Sequence, residues 1–349
     1  MRLERNESVH LQSIHTRLCV SAMLTLLLSG CSSFRHHPPE WVENPKAVYA
    51  ENKYLVAVGE GDTRRTAENT AAANLSRIFE AHIESDERLL DTTHESGRSL
   101  LRTTDFTADV NILSSQTLYN IQHAEAWKDG NGRYHAVAYL DRRETASIYM
   151  DKIEALSGRV RFALDQAEHA GNLLDRYAQL RAANRYAAEN ELLLRQLKVI
   201  HPPTASAIAP SYSISELQKA LADTARQVRV QINIDGDSDG RMTACLEELI
   251  TRYGFVVGTP AVLEIAGRVT VTDTGQRNAS LVFVRYELAV KIKDSEGTVL
   301  AAVNNTGREA HQSETEARSR SFRTMERSIA TEGVQRLDAF FDSLTDQSR

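Results

Sequence analysis

The amino-acid sequence predicts an α+β protein: helices packed on mainly antiparallel sheets, in two small domains joined by a helical hairpin. Three observations predict it. Val228, Val230, Ile232 and Ile234 alternate with Arg229, Gln231, Asn233 and Asp235, the period-two pattern of a strand buried on one face. Ala67, Ala71, Leu75, Ile78 and Phe79 recur at helical spacing after the short apolar run Lys53 to Val58, so a helix follows a strand and needs a sheet to cover. Asp129-Gly130-Asn131-Gly132 separates the runs Thr117 to Trp127 and Tyr134 to Leu140. Asp-Gly and Asn-Gly tolerate the positive φ of tight hairpin turns.

These elements make residues 41–141 a first α+β domain. Residues 142–201 read as the helical hairpin, with Leu156, Val160, Ala163, Leu164 and Ala167 on one arm and Leu173, Leu174, Tyr177, Leu180 and Ala187 on the other. His169-Ala170-Gly171-Asn172 marks a helix end between the arms, and His201-Pro202-Pro203 closes the far end, where proline cannot continue a helix interior. One long bent helix is the alternative, since a glycine costs only about 1 kcal/mol inside a helix. Residues 202–226 form a linker with a short helix.

Residues 227–349 form the second α+β domain. After the alternating strand come a helix over Thr243 to Tyr253, strands at Val262 to Thr272, Leu281 to Lys293 and Val299 to Val303, and one closing helix from about Ser313. Phe322, Met325, Ile329, Leu337, Phe340 and Leu344 are its expected buried stripe.

The chain of 349 residues has a formal charge of −6 and no long block of Lys or Arg, which leaves no electrostatic footprint for nucleic acid. Cys245 is the one cysteine beyond the amino-terminal region that holds Cys19 and Cys31, so an intramolecular disulfide is excluded in a mature body, and Cys245 reads as a buried, inert thiol. Arg2, Arg5 and Arg17 precede the apolar run Leu18 to Leu28. That run suits an export signal and is too short to span a bilayer stably. It ends in Leu28-Ser29-Gly30-Cys31, which resembles the lipobox of bacterial lipoproteins.

The resemblance implies residues 1–30 as signal peptide, cleavage between Gly30 and Cys31, and lipid on the Cys31 sulfur, with residues 31–40 as a lipidated tether. Two or more acyl chains anchor stably where one does not. Ser32 stands where an Asp would resemble an inner-membrane retention signal, so the expected location is the outer membrane, facing the periplasm. His36-His37 in the tether lacks a third ligand nearby and reads as solvated chain.

Two segments imitate ligand loops. Val58-Gly59-Glu60-Gly61-Asp62-Thr63-Arg64 begins like a phosphate loop, but Arg64 stands where the third glycine belongs. An ordinary turn with Asp62 or Thr63 as helix cap is the expected use. Asp235-Gly236-Asp237-Ser238-Asp239-Gly240 matches the first half of a calcium loop, yet Leu246 occupies the twelfth position, where a bidentate Glu is needed. A turn whose Asp or Ser caps the next helix is expected instead.

No hydrolase elbow, zinc pair or phosphate-binding lysine loop is present, and His94, His123, His135 and His311 are scattered. The expectation is a protein without catalytic residues, metal or cofactor. Arg320, Arg323 and Arg327 share one helix face, and that row is the candidate partner-binding surface, since guanidinium groups suit carboxylates and phosphates.

Pro39-Glu40-Trp41, Tyr54-Leu55-Val56-Ala57-Val58-Gly59, the Ala-rich helix and Glu125-Ala126-Trp127-Lys128-Asp129-Gly130-Asn131-Gly132-Arg133-Tyr134-His135-Ala136 together resemble the LPP-twenty lipoprotein family. By element order, the second domain resembles the TolB amino-terminal type. The resemblance implies a non-catalytic outer-membrane lipoprotein, held in the membrane lipid by Cys31, that recruits or holds an envelope protein partner, with flagellar or motility assembly as one setting. Regulation of peptidoglycan synthesis and an uncharacterised envelope hydrolase are the alternatives.

Overall fold

The computed structural model describes residues 37–91, 118–278 and 280–346. Gly30 and Cys31 lie outside the described residues, as do Cys19, His36, His94 and Thr117. The chain divides into two compact units, one built from residues before Ile78 with Ile121–Leu140, the other from the remainder.

In the first unit, short helices α1 (Glu40–Glu43) and α2 (Pro45–Val48) precede β1 (Tyr54–Gly61), helix α3 (Arg64–Asp91), which begins in this unit, and the hairpin of β2 (Gln122–Lys128) and β3 (Tyr134–Asp141). The sheet order is β1-β3-β2. Alternation along the strands separates two faces. Trp41 and Tyr49 bury Val137 together with Val56, Val58, Trp127 and Tyr139, while Ala136, Ala138 and Leu140, on the opposite parity of β3, are also buried.

The strand expected from Thr117 starts only at Gln122. Asn120 sits at φ 63°, outside strand geometry, and its side-chain amide donates to Thr145 Oγ1 at 3.2 Å.

The second unit opens with α4 (Arg142–Glu168) and α5 (Leu173–Ile200), a hairpin and not one bent helix. Asn172 ends the turn by accepting the Asp175 N–H at 2.8 Å. At the far end the Arg142 guanidinium donates to the carbonyls of Val199 (2.9 Å) and Ile200 (2.6 Å). It thereby satisfies acceptors that the end of α5 leaves open and sets a cation against the negative end of that helix. Pro202 opens α6 (Pro202–Ala207), and Ser213 caps α7 (Ile214–Ala225). The hairpin is no free connector: Leu174, Tyr177 and Ala178 of α5 belong to the main core of the second unit.

That core lies under a five-stranded sheet of order β5-β4-β6-β7-β8. Its strands are β4 (Arg229–Asp235), β5 (Val256–Val257), β6 (Leu263–Asn278), β7 (Leu281–Asp294) and β8 (Val299–His311), with α8 (Arg241–Arg252) between β4 and β5. Val228 and Val230 are buried, as the alternation predicts.

The sheet is mainly antiparallel, as expected, with β6–β7 and β7–β8 antiparallel and β4 alone pairing in parallel, with β5 and β6. Two expectations are corrected. β8 runs to His311 instead of Val303: its second half, Asn304 to His311, is polar in sequence, yet it stays in register with β7. The closing helix is two helices, α9 (Glu314–Ser328) and α10 (Val334–Asp346), around a five-residue π-helical turn, Ile329–Gly333.

The π-turn explains the buried stripe. Met325, Ile329, Gly333, Leu337 and Phe341 follow one another at steps of four and are all buried. In an unbroken α-helix a four-residue step drifts about 40° each time; the extra residue of a π-turn returns the row to the sheet. Phe341, not the expected Phe340, is therefore the deep residue, 1% exposed.

Candidate functional site

The Gly59-x-Gly61 motif serves helix packing. A Cβ on Gly59 would lie 2.1 Å from Ala71 N and 2.5 Å from Ala67 O, and one on Gly61 2.6 Å from Ala67 N. The glycines let β1 touch the backbone of α3, whose facing residues are alanines for the same reason. Thr63 Oγ1 accepts the Thr66 N–H at 3.1 Å, the cap expected of Asp62 or Thr63.

The Asp235 loop is likewise spent on structure. Asp237 accepts from Met242 N (3.2 Å), Thr243 N (2.8 Å) and Thr243 Oγ1 (2.8 Å), binding the open donors at the start of α8. Gly236 is required twice over, by its φ of 81° and by Val269 O, which a Cβ would approach to 2.2 Å. Asp235 turns away to Arg268 at 3.0 Å. Among the described residues no group of three or more His, Cys, Asp or Glu is placed to hold a metal ion.

Cys245 is half-buried against the core of the second unit. Burial, with Glu326 nearby, pushes its thiol up to about 11, and Sγ lies 3.6 Å from Glu326 O. A thiol held protonated in this way is a poor nucleophile.

Of the scattered histidines, His311 Nδ1 accepts the Ser313 N–H at 3.3 Å, His123 is exposed on β2, and His135 sits in the hairpin of the first unit. Its Nε2 is 3.6 Å from Asp129 Oδ2 and its Nδ1 3.8 Å from Glu60, with its ring 5.3 Å from that of Trp127. Asp129 is held below the usual carboxylate range, first by the Arg133 N–H and then by Asn131 N–H and His135. Its contribution to stability is thus present above the ordinary Asp range near 3.9 and is lost as pH falls through the lowered value.

Nearby, the indole N–H of Trp41 donates to Glu125 Oε2 at 2.7 Å. It joins two distant stretches of the first domain, Pro39-Glu40-Trp41 and Glu125-Ala126-Trp127. A separation of 84 residues hides such a bond from pattern reading.

Arg320, Arg323 and Arg327 are all exposed on α9, but the row is not bare. Glu316 lies 2.6 Å from Arg323 and 3.7 Å from Arg320, and Arg323 foremost holds its carboxyl below the usual range.

Residues 39–141 match the model of the LPP20 lipoprotein family. No curated protein matches the chain. Among solved structures, a secreted protein from the human pathogen Helicobacter pylori is similar at 17% identity and a TM-score of 0.43, over 81% of this chain and 98% of that one. A minor lipoprotein from Acinetobacter baumannii is similar at 14% identity and a TM-score of 0.20, over 34% of this chain and 92% of that one. The family match ends at residue 141 and does not bear out the TolB amino-terminal likeness expected of the second domain. Over residues 39–141 the chain is similar to the LPP20 lipoprotein family.

Proposed function

We propose that the protein is a non-catalytic scaffold of the cell envelope, anchored through lipid on Cys31 in the outer membrane and facing the periplasm, that recruits or holds another envelope protein. The observation that carries this reading is the order of two signals: Leu28-Ser29-Gly30-Cys31 ends an apolar run just upstream of the residues that match the LPP20 lipoprotein family. It is supported by the use made of the residues that resemble chemistry, because Gly59, Gly61, Asp237 and Cys245 are occupied by packing, capping and burial. No helix among the described residues is long and apolar enough to cross a membrane, and the proposed attachment is the lipid.

In-cell crosslinking followed by affinity capture tests the recruiting role. The wild type is expected to enrich a defined protein at near-stoichiometric yield. Replacing Arg320, Arg323 and Arg327 together with Gln removes charge while keeping much of the helix propensity, so it is expected to lower recovery without unfolding α9. Enrichment of nothing beyond an unrelated lipoprotein control would overturn the recruiting role. Full recovery by the triple variant would move the contact surface away from α9.

A further inference from the structure

The strand register places the side chains of β4, β6, β7 and β8 in rows, and one face of the second sheet is covered by the core. Val230, Ile265, Val290 and Val303 belong to that buried face. The opposite face is open. Its rows read Asn233, Ala266, Lys291 and Ala302; Asp235, Arg268, Ala289 and Asn304; Thr270, Glu287 and Thr306; Thr272, Arg285 and Arg308. Lys293 continues the face beyond Lys291, opposite Glu264.

Two features of this face point to a ligand. Arg285 and Arg308 stand directly opposite each other and are both exposed; like charges so placed destabilise a sheet, and among the described residues neither forms an ion pair. Among the described residues Lys291 likewise forms no ion pair. Beside it a trough of about 540 Å³ is floored by Ala266 and Ala289 and edged by Arg268, Lys291 and Lys293 together with Asp235 and Glu287. Five cations, Arg268, Arg285, Lys291, Lys293 and Arg308, share this face with three acids, Asp235, Glu264 and Glu287, so the face is basic although the whole chain carries a charge of −6.

We propose that this open face binds an extended acidic segment of a partner polypeptide, with Arg285 and Arg308 gripping carboxylates at one end and Lys291 and Lys293 at the other. The proposal rests on the recruiting role inferred above and names the chemistry of the partner. Arg285 and Lys291 are six residues apart on one strand, which at about 3.3 Å per residue is about 20 Å. Glu287 lies between them, so the segment must carry its acids at both ends and neutral residues in the middle, where Thr270, Thr306 and Asn304 offer hydrogen bonds. That alternation fits discrete carboxylates on a strand-like chain, since an extended peptide repeats its side chains at the same spacing. A uniformly anionic bilayer would instead press phosphates against Glu287 and Asp235.

The test uses the full chain in detergent micelles and fluorescence anisotropy of a labelled twelve-residue peptide with Glu pairs six positions apart and Ser or Thr between. A composition-matched peptide with all its Glu residues in the centre is the control, and phosphatidylglycerol vesicles form a separate arm. The spaced peptide is expected to bind at least about tenfold tighter than the control, with affinity falling as salt rises. Arg285→Gln with Arg308→Gln is expected to weaken it at least about tenfold, while the melting temperature holds or rises because a repulsion is removed. Equal binding of the two peptides, unchanged affinity in the double variant, or binding of vesicles in place of peptide would each overturn the proposal. If the double variant still captures the same protein from cells at wild-type yield, the recruiting role stands and this face is not its site.

Discussion

Gly59→Ala is expected to destabilise the first unit by about 3 kcal/mol or more while leaving the second unit as it was. The added Cβ meets backbone on the facing helix, Ala71 N at 2.1 Å and Ala67 O at 2.5 Å, so no side chain can swing aside, and overpacking that forces backbone shifts costs about 1–3 kcal/mol or more. The chain has two tryptophans, and Trp41 and Trp127 both lie in the first unit. Tryptophan fluorescence during urea unfolding therefore reads this unit alone. Its midpoint should drop sharply in Gly59→Ala, with the far-ultraviolet circular dichroism transition of the larger second unit unmoved. Gly130→Ala is the matched control, since a Cβ there has nothing within 4 Å, and it should behave like the wild type.

Phe341→Ala is expected to produce the converse. The ring is 1% exposed, and its centroid lies 5.0 Å from Tyr177, 5.9 Å from Tyr253, 6.0 Å from Phe255 and 5.2 Å from Phe340. This cluster fastens α10 to α5 and to the start of β5, and truncating a buried Phe costs about 3–5 kcal/mol. In a unit of this size that corresponds to a fall of about 10 °C in melting temperature, read by far-ultraviolet circular dichroism, while tryptophan emission keeps its wild-type transition. The polar seam above the cluster persists in the variant: Arg181 lies 2.6 Å from Asp338, and Tyr253 OH donates to the same carboxylate at 2.9 Å.

Period-two alternation named the buried face of β4 correctly, because Val228 and Val230 fill a core while Arg229 and Gln231 meet solvent. The hairpin helices were legible for a similar reason: Asn172 and the prolines after His201 punctuate a strong helical period. Phe341 was missed because a π-turn shifts the phase of a stripe, and no residue in Ile329–Gly333 announces one. The second half of β8 was missed because an open sheet face lets polar residues occupy every other position, and Gly307 in its middle reads as a break although it makes room for the Tyr286 ring, whose hydroxyl a Cβ would meet at 2.3 Å.

The candidate sites followed the same division. Asp237 was legible as a cap because Asp, Ser and Gly ahead of a helix are local signals. The turn and the Thr63 cap after β1 are legible locally, but the close approach of its glycines to Ala67 and Ala71 depends on tertiary packing. The facing pair Arg285 and Arg308 could not be seen at all, since it exists only once the register of β7 and β8 is known. On α9 the spacing of Arg320, Arg323 and Arg327 was plain, whereas the neutralising role of Glu316 needed coordinates.

The lipid anchor on Cys31 is measured most directly by growth with labelled palmitate followed by membrane fractionation. The wild type should carry the label and stay with the membranes through a high-salt wash, because acyl burial adds about 0.8 kcal/mol per methylene and is not an ionic attachment. Cys31→Ser should be unlabelled and should leave the membrane fraction as a folded protein with wild-type tryptophan emission. A Cys31→Ser protein that still takes up palmitate, or a wild type that never does and washes off with salt, would contradict the account.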